Sequence, residues 1–156
     1  MRREETIDYN IKAAWHAIAR MYNQQAAKYD ITTSMGFVLL NISSEEGIPA
    51  TKIAPLMGLE ARSLTRLLKS MEEKGLIYRE ADISDKRLVK IFLTKEGRKK
   101  KEKSREVVLK FNETVRSIVP IEKLNIFFDV LRDINKLIES NTIYQKPAAV
   151  SAVEEV

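Results

Sequence analysis

Basic and hydroxyl side chains gather on one face of a helical stretch between Glu60 and Glu73. At about 100° per residue, that face receives Arg62, Thr65, Arg66 and Lys69, with Ser63 at its edge. The opposite face receives the apolar stripe Leu64, Leu67, Leu68 and Met71. Guanidinium groups donate paired, coplanar hydrogen bonds, so the basic face suits a partner that offers phosphates or planar acceptors.

The charges of this stretch are placed against the preference of an isolated helix. The arginines lie in its N-terminal half, whereas Glu72 and Glu73 lie near its end, where the helix dipole disfavours carboxylates. We therefore expect these charges to serve partners outside the helix.

Two further groups of polar residues flank the basic helix. Thr51 and Lys52 begin a preceding short helical segment, and Asp85, Lys86 and Arg87 lie in a charged loop that comes after it. In extended backbone Asp85 and Arg87 point the same way, so the carboxylate can hold the guanidinium. A local pair that only stabilises the turn is the alternative for these two residues.

The elements that position these residues follow from periodicity and turn signals. A short helix from Ala50 to Met57 is followed by a turn at Gly58 and then by the basic helix, which Gly75 ends in a left-handed conformation. Two strands, Leu76 to Ala81 and Leu88 to Leu93, enclose the charged loop. Helix, turn, helix and a two-stranded wing together predict a winged helix-turn-helix.

Longer helices flank this core. Apolar residues at helical spacing predict helices over about 6–29, 32–44, 94–119 and 121–141. The stripe of the last helix is broader than packing on one side requires, which favours a dimerisation layer. We expect a mainly α fold with a small β-wing. Its parts are a helical dimerisation region at 6–31 and 98–143, a DNA-binding winged helix-turn-helix domain at 32–97, and a disordered tail at 144–156.

Composition narrows the classes of function. The net charge of +5 and the pI near 9.4 favour a polyanionic partner. With no Cys there is no thiolate site, and a single His cannot supply the imidazoles of a usual zinc site. No recognisable catalytic constellation assembles from the remaining residues, so we expect neither an enzyme nor a metal or cofactor. The sequence shows neither a signal peptide nor an apolar run long enough for a membrane span, and we expect a cytoplasmic protein.

The central run closely resembles the winged helix-turn-helix core of the MarR family of bacterial transcription regulators. The resemblance lies in the Thr65-Arg66 pair, the Glu73-Lys74-Gly75-Leu76-Ile77 turn, the Asp85-Lys86-Arg87 wing, and Leu93-Thr94 followed by Gly97. It implies a homodimer that binds double-stranded DNA at a near-palindromic operator, usually as a repressor. It also implies release by a small, commonly aromatic ligand that binds between the dimerisation and DNA-binding regions.

The chemistry of each side chain suggests its role on DNA. In a major groove Arg62 or Arg66 can donate two hydrogen bonds to guanine, and Thr65 can meet a thymine methyl group or a phosphate. Ser63, Lys69 and Lys86 suit phosphates, as do the helix N-terminal amides near Thr51 and Lys52. Arg87, oriented by Asp85, can enter a narrow minor groove.

Other interpretations remain open. The basic helix face can be a solvated surface, and the run Arg98, Lys99, Lys100, Lys101 and Lys103 is better explained as a solvated helix face than as a nucleic-acid patch. An effector pocket between the first two helices would use Trp15, His16, Arg20, Met35 and Phe37. Core packing or interface contacts explain Trp15, Met35 and Phe37 equally well, and His16 is better explained as a surface or interface residue. The alternative function is a winged-helix module that docks an acidic protein surface without reading DNA sequence.

Overall fold

Six α-helices and a small antiparallel sheet make up the structure, a computed structural model that describes residues 1–141 and 143–145. The helices are α1 (Ile7–Ala27), α2 (Thr33–Asn41), α3 (Ala50–Met57), α4 (Ala61–Glu73), α5 (Lys95–Ile118) and α6 (Ile121–Glu139). The strands are β1 (Ile48–Pro49), β2 (Ile77–Ala81) and β3 (Val89–Leu93), and a 3-10 turn, Arg3–Glu5, precedes α1. The mainly α fold with a small β-wing is confirmed; from residue 146 the predicted disordered tail lies outside the described residues.

The two predicted wing strands are present as β2 and β3, but the sheet has a third strand that the sequence did not predict. The sheet has three strands in the order β1-β3-β2, with both pairings antiparallel. β1 pairs Ile48 with Ile91 and Pro49 with Lys90. Two residues are too few to show an alternation of polar and apolar side chains, and their partners lie about forty positions away. A proline in β1 is tolerated because this strand lies at the edge of the sheet.

Helix boundaries follow local capping chemistry. The Thr32 hydroxyl accepts a hydrogen bond from the Met35 backbone N–H at 3.2 Å and caps α2. α2 ends at Asn41, three residues before the predicted Ser44, because Ile42 adopts extended backbone angles. α4 ends as predicted: Gly75, with φ of 68°, adopts the left-handed conformation that terminates the helix.

The apolar stripe of α4 packs into the core of the unit Met1–Phe111. Leu64, Leu68 and Met71 are buried and Leu67 is half-buried, as the spacing predicted. They join a cluster whose fully buried members come from three other elements and the segment after α2: Val38, Leu39, Ile42, Ile53 and Ile91. Burying one such side chain contributes about 1.5–3 kcal/mol, so this packing fixes which face of α4 remains in solvent.

The start of α5 lies against the turn that ends α4. The Thr94 hydroxyl donates to the Gly75 carbonyl at 2.6 Å and accepts from the Gly97 backbone N–H at 3.0 Å. A Cβ atom at Gly97 would lie 1.9 Å from the Leu76 carbonyl oxygen. Only glycine therefore permits this approach without a backbone shift.

The second unit, Asn112–Val156, contains the end of α5 and all of α6. Leu124 is buried on α6, but many large apolar side chains of this unit are exposed: Ile118, Ile121, Ile126, Phe127, Phe128, Val130, Leu137 and Ile138. Such a band exceeds the scattered exposed apolar residues of ordinary surfaces. Within the described residues, no helix is both long and apolar enough to cross a membrane.

Candidate nucleic-acid interface

The outer face of α4 presents the basic and hydroxyl side chains predicted from the sequence. Arg62, Ser63, Thr65, Arg66 and Lys69 all lie on the solvent side of the helix. Across the described residues, none of the three cations on this face enters an ion pair. The Thr65 hydroxyl donates to the Ala61 carbonyl at 2.9 Å, which leaves its methyl group and oxygen lone pairs facing outward. Free cations opposite a buried stripe are suited to an external polyanion.

The first turn of α3 adds two exposed polar residues. Thr51 and Lys52 come just after Pro49, the residue that caps this helix without a side-chain hydrogen bond. The first backbone N–H groups of a helix have no partner within it and attract anions. The structure thus brings Thr51 and Lys52 to the start of the helix that precedes α4, where the sequence placed them.

Asp82 organises the loop between β2 and β3. Its carboxylate accepts hydrogen bonds from the Ser84 hydroxyl at 2.5 Å, from the Ser84 N–H at 2.8 Å and from the Asp85 N–H at 3.2 Å. Its other oxygen pairs with the Lys90 ammonium at 3.2 Å. These interactions, the Ser84 bonds first, hold the pKa of Asp82 well below its usual range. Sequence reasoning missed Asp82, although aspartate followed two residues later by serine is typical of such a turn.

The predicted wing residues Asp85, Lys86 and Arg87 are all exposed at the tip of this loop. The Asp85 carboxylate accepts a hydrogen bond at 3.0 Å from the backbone N–H of Arg87. The structure therefore replaces the expected carboxylate–guanidinium pair by a backbone contact, because the loop turns here and is not extended. The Arg87 guanidinium remains available to an external partner.

The basic run at the start of α5 is largely engaged within the protein. The Lys100 ammonium donates to the Tyr29 carbonyl at 2.7 Å, and the Lys101 ammonium donates to the Ile42 carbonyl. Lys103 pairs with Glu106 at 2.8 Å. Lys100 and Lys101 bind the ends of α1 and α2 and Lys103 pairs within α5, so these three lysines supply structural contacts in place of a second polyanion surface.

A cavity lies between α1, α2 and the first half of α5, with an empty volume of about 350 Å³ that includes the part open to solvent. Its walls are mostly apolar, with Tyr22 and Phe37 edge to face at 5.9 Å, and Lys103 supplies a cation. Burial raises the pKa of the Tyr22 phenol. The polar groups of the wall also include Tyr29, Thr32, Thr33 and Ser104.

Of the five residues predicted for an effector pocket, Phe37 lines this cavity. Trp15 stacks on Phe37 with ring centroids 6.3 Å apart but is half-exposed, and Met35 is buried in the core. His16 and Arg20 are exposed on α1. Tyr22 lies on α1 and Tyr29 lies in the turn after it, yet their place in a cavity depends on α5, which the local pattern of α1 does not reveal.

One corner of the cavity is tied to the end of α4. Asp30 joins α1 to α2 and has φ of 55°. The Lys74 ammonium donates hydrogen bonds to the Asp30 carboxylate at 3.1 Å and to the Asp30 carbonyl at 3.3 Å. The neighbouring residues Tyr29 and Ile31 line the cavity. A displacement of this corner would therefore change the contact between Asp30 and Lys74, the residue that caps α4.

Comparison with known proteins agrees with this geometry. A family model described as the MarR family matches residues 31–89. The chain is also similar to TtmR, an HTH-type transcriptional regulator of Methylorubrum extorquens, at 38% identity over 90 residues. The chain belongs to the MarR family. The match to TtmR covers 58% of this chain and 46% of TtmR, so the chain spans about half the length of that relative.

Solved MarR-type structures share the fold of this chain. MepR of Staphylococcus aureus, solved in complex with DNA, has a TM-score of 0.74 at 24% identity, covering 85% of this chain and 98% of MepR. CouR of Rhodococcus jostii, solved with p-coumaroyl-CoA, has a TM-score of 0.76 at 21% identity, covering 95% of this chain and 99% of CouR. At these identities the likeness establishes the winged-helix fold of the MarR family.

Proposed function

We propose that this chain is a homodimeric, DNA-binding transcription regulator that represses from a near-palindromic operator and is released by a small effector. The observation that carries the proposal is the outer face of α4. We call α4 the recognition helix. It presents Arg62, Arg66 and Lys69 to solvent without ion-pair partners in the described residues, beside an exposed wing that ends in Arg87. Each of these side chains is available to contact a polyanion.

In this proposal the recognition helix enters the major groove and the wing reaches the adjacent minor groove. Arg62 and Arg66 read guanine edges, and Thr65 contacts a thymine methyl group or a phosphate. Ser63, Lys69, Lys86 and the start of α3 at Thr51 and Lys52 hold phosphates. Arg87 enters the minor groove, where a narrow groove concentrates negative potential. Residues 32–97 form the DNA-binding domain.

The homodimer in this proposal uses the terminal helices, residues 6–31 and 98–143. The exposed apolar residues of α6 and the half-exposed Ile7, Ile11 and Trp15 of α1 support it, because solvent exposure of so much apolar surface is unfavourable. Two recognition helices of a dimer lie roughly 34 Å apart when they meet half-sites one helical turn apart.

The effector in this proposal is a small, aromatic ligand that occupies the cavity between α1, α2 and α5. Support comes from the cavity's aromatic and aliphatic walls and the single cation Lys103, since ligand sites combine apolar walls with few polar groups. The Lys74–Asp30 contact joins this cavity to the recognition helix. The ligand-bound CouR supports the choice of a ring-containing ligand by likeness of fold. A ligand releases DNA only if it binds one dimer geometry better than the other.

Titration of the protein with DNA tests the proposal. Two duplexes are used, one from upstream of the coding sequence and one scrambled, each at two salt concentrations. We expect the upstream duplex to be bound about 10³-fold more tightly or better, and both affinities to fall with salt. Equal, weak and salt-sensitive binding to both duplexes would contradict sequence recognition and favour a winged-helix module for an acidic protein surface. Addition of aromatic acids to the bound complex tests release by an effector.

A further inference from the structure

An ion pair connects the last turn of the recognition helix to the wing. The Arg79 guanidinium on β2 donates from Nε to the Glu72 carboxylate on α4 at 3.0 Å. The two side chains are 37% and 32% exposed, so the pair is partly shielded from water. In the pairing of β2 with β3, Arg79 lies opposite Ile91, a fully buried residue, and therefore on the sheet face that packs on the core.

This pair explains a charge that the helix alone does not favour. Glu72 stands in the last turn of α4, where the helix dipole disfavours a carboxylate. Its neighbour Glu73 stands in the same turn but is exposed, whereas Glu72 is directed to the first strand of the wing. The position of Glu72 is thus determined by the connection between helix and wing.

We propose that Glu72 and Arg79 are positioning residues that fix the wing relative to the recognition helix, so that both can engage adjacent grooves at once. This inference rests on the proposed DNA-binding function. Linked contacts strengthen each other only when their geometry permits simultaneous engagement. Loss of the pair leaves the recognition helix in its groove and lets the wing move away from the minor groove.

Neutralising the Glu72 carboxylate distinguishes a positioning role from a general electrostatic effect on DNA affinity. Glu72→Gln raises the net charge by one, so electrostatics alone would tighten binding to any DNA. We expect Glu72→Gln to weaken binding to the upstream duplex about three- to fivefold, the scale of a partly exposed ion pair, and to tighten binding to the scrambled duplex. Glu73→Gln is the matched control, because it makes the same charge change in the same helical turn. It should tighten binding to both duplexes.

Variants of Arg79, the ion-pair partner of Glu72, test the same positioning role. Arg79→Met should weaken upstream binding at least as much as Glu72→Gln, and the combination of both substitutions should be no weaker than Arg79→Met alone. Arg79→Lys, which keeps the charge, should restore part of the loss. In a hydroxyl-radical footprint, protection should disappear at the minor-groove positions of the wing and persist at the major-groove positions of the recognition helix.

Two results would overturn the inference. One is that Glu72→Gln tightens upstream binding as Glu73→Gln does. The other is that all protections weaken together with a lowered melting temperature, as a purely structural role requires. If the wild-type protein does not distinguish the two duplexes, the proposed function fails separately. Hydrogen exchange of the free protein then decides whether Glu72→Gln loosens the β2 and β3 amides, and unchanged exchange there would refute the positioning role.

Discussion

The carboxylate of Asp82 holds the loop that presents the wing. It accepts three hydrogen bonds from Ser84 and Asp85 and pairs with Lys90, while its own side chain is only 13% exposed. A single short side chain therefore sets the backbone on which Asp85, Lys86 and Arg87 are displayed. The Arg87 contact proposed for the minor groove depends on Asp82 more than on Asp85.

The depressed pKa of Asp82 gives the wing a defined response to acid. Because the folded-state pKa lies below the unfolded value, the stabilisation is complete above the ordinary aspartate pKa of about 3.9 and is lost as the pH falls further. We expect the difference in free energy of unfolding between the wild type and Asp82→Asn to be constant from about pH 7 to 5 and to shrink below about pH 4. Urea unfolding at each pH measures it. A difference that stays unchanged down to about pH 3 would contradict this assignment, and Ser84→Ala should reduce the shrinkage.

Gly97 is required by a close approach of two backbone segments. An alanine Cβ would lie 1.9 Å from the Leu76 carbonyl oxygen, so the start of α5 or the turn after α4 must shift. We expect Gly97→Ala to lower the free energy of unfolding by about 3 kcal/mol, the upper part of the usual range for overpacking.

Gly58→Ala serves as the control for Gly97→Ala. Gly58 has φ of 60° with no atom within 4 Å of the added Cβ, so its substitution tests backbone conformation without a clash. It should lower the free energy of unfolding by about 1 kcal/mol, the usual penalty of a non-glycine residue in the left-handed conformation. A Gly97→Ala effect no larger than that of Gly58→Ala in chemical denaturation would show that the approach relaxes freely.

At the scale of elements, lysines of α5 fasten the C-terminal ends of α1 and α2. Carbonyls at helix ends lack partners within the helix, and Lys100 and Lys101 supply donors to Tyr29 and Ile42. The helix that begins next to the recognition helix is thereby joined to two walls of the cavity. These contacts give the basic run at residues 98–103 a structural role.

Substitution of Lys101 tests that role. Removing a charged donor from a partly buried carbonyl should lower the free energy of unfolding by about 1–2 kcal/mol in Lys101→Met. Lys99→Met removes the same charge from a side chain that is 66% exposed, and should change stability by less than about 0.5 kcal/mol. Equal stability of the two variants in a urea titration would argue that the run is only a solvated face.

Local signals predicted most of the elements but not the contacts between distant ones. The bounds of α3, the left-handed Gly75 and the buried stripe of α4 follow from neighbouring residues, and all are confirmed. β1 was missed because its pairing with β3 is long-range. The Lys100 and Lys101 contacts span 71 and 59 residues, and the cavity walls come from three helices, so neither could be found from periodicity.

At the scale of the whole molecule, the apolar band of α6 bears on the proposed homodimer. Phe127 is 52% and Ile138 is 59% exposed. We expect the wild-type protein to sediment as a dimer, and Phe127→Glu and Ile138→Glu together to shift it toward monomer, because the added charges would be buried unpaired in the interface. Asn135→Glu, an exposed polar position on the same helix, is the control and should leave the dimer intact. A wild-type monomer at micromolar concentration, or a double variant that dimerises normally, would refute this interface.

We expect the recognition helix and the wing of this MarR-family chain to read DNA sequence. Titration of Arg66→Ala and Arg87→Ala against the upstream and scrambled duplexes tests this claim most directly. If both arginines contact base edges, each substitution should weaken binding to the upstream duplex by about 1–3 kcal/mol and reduce its preference over the scrambled duplex. Losses of the same size on both duplexes would mean that the arginines supply only generic charge, and would contradict the claim.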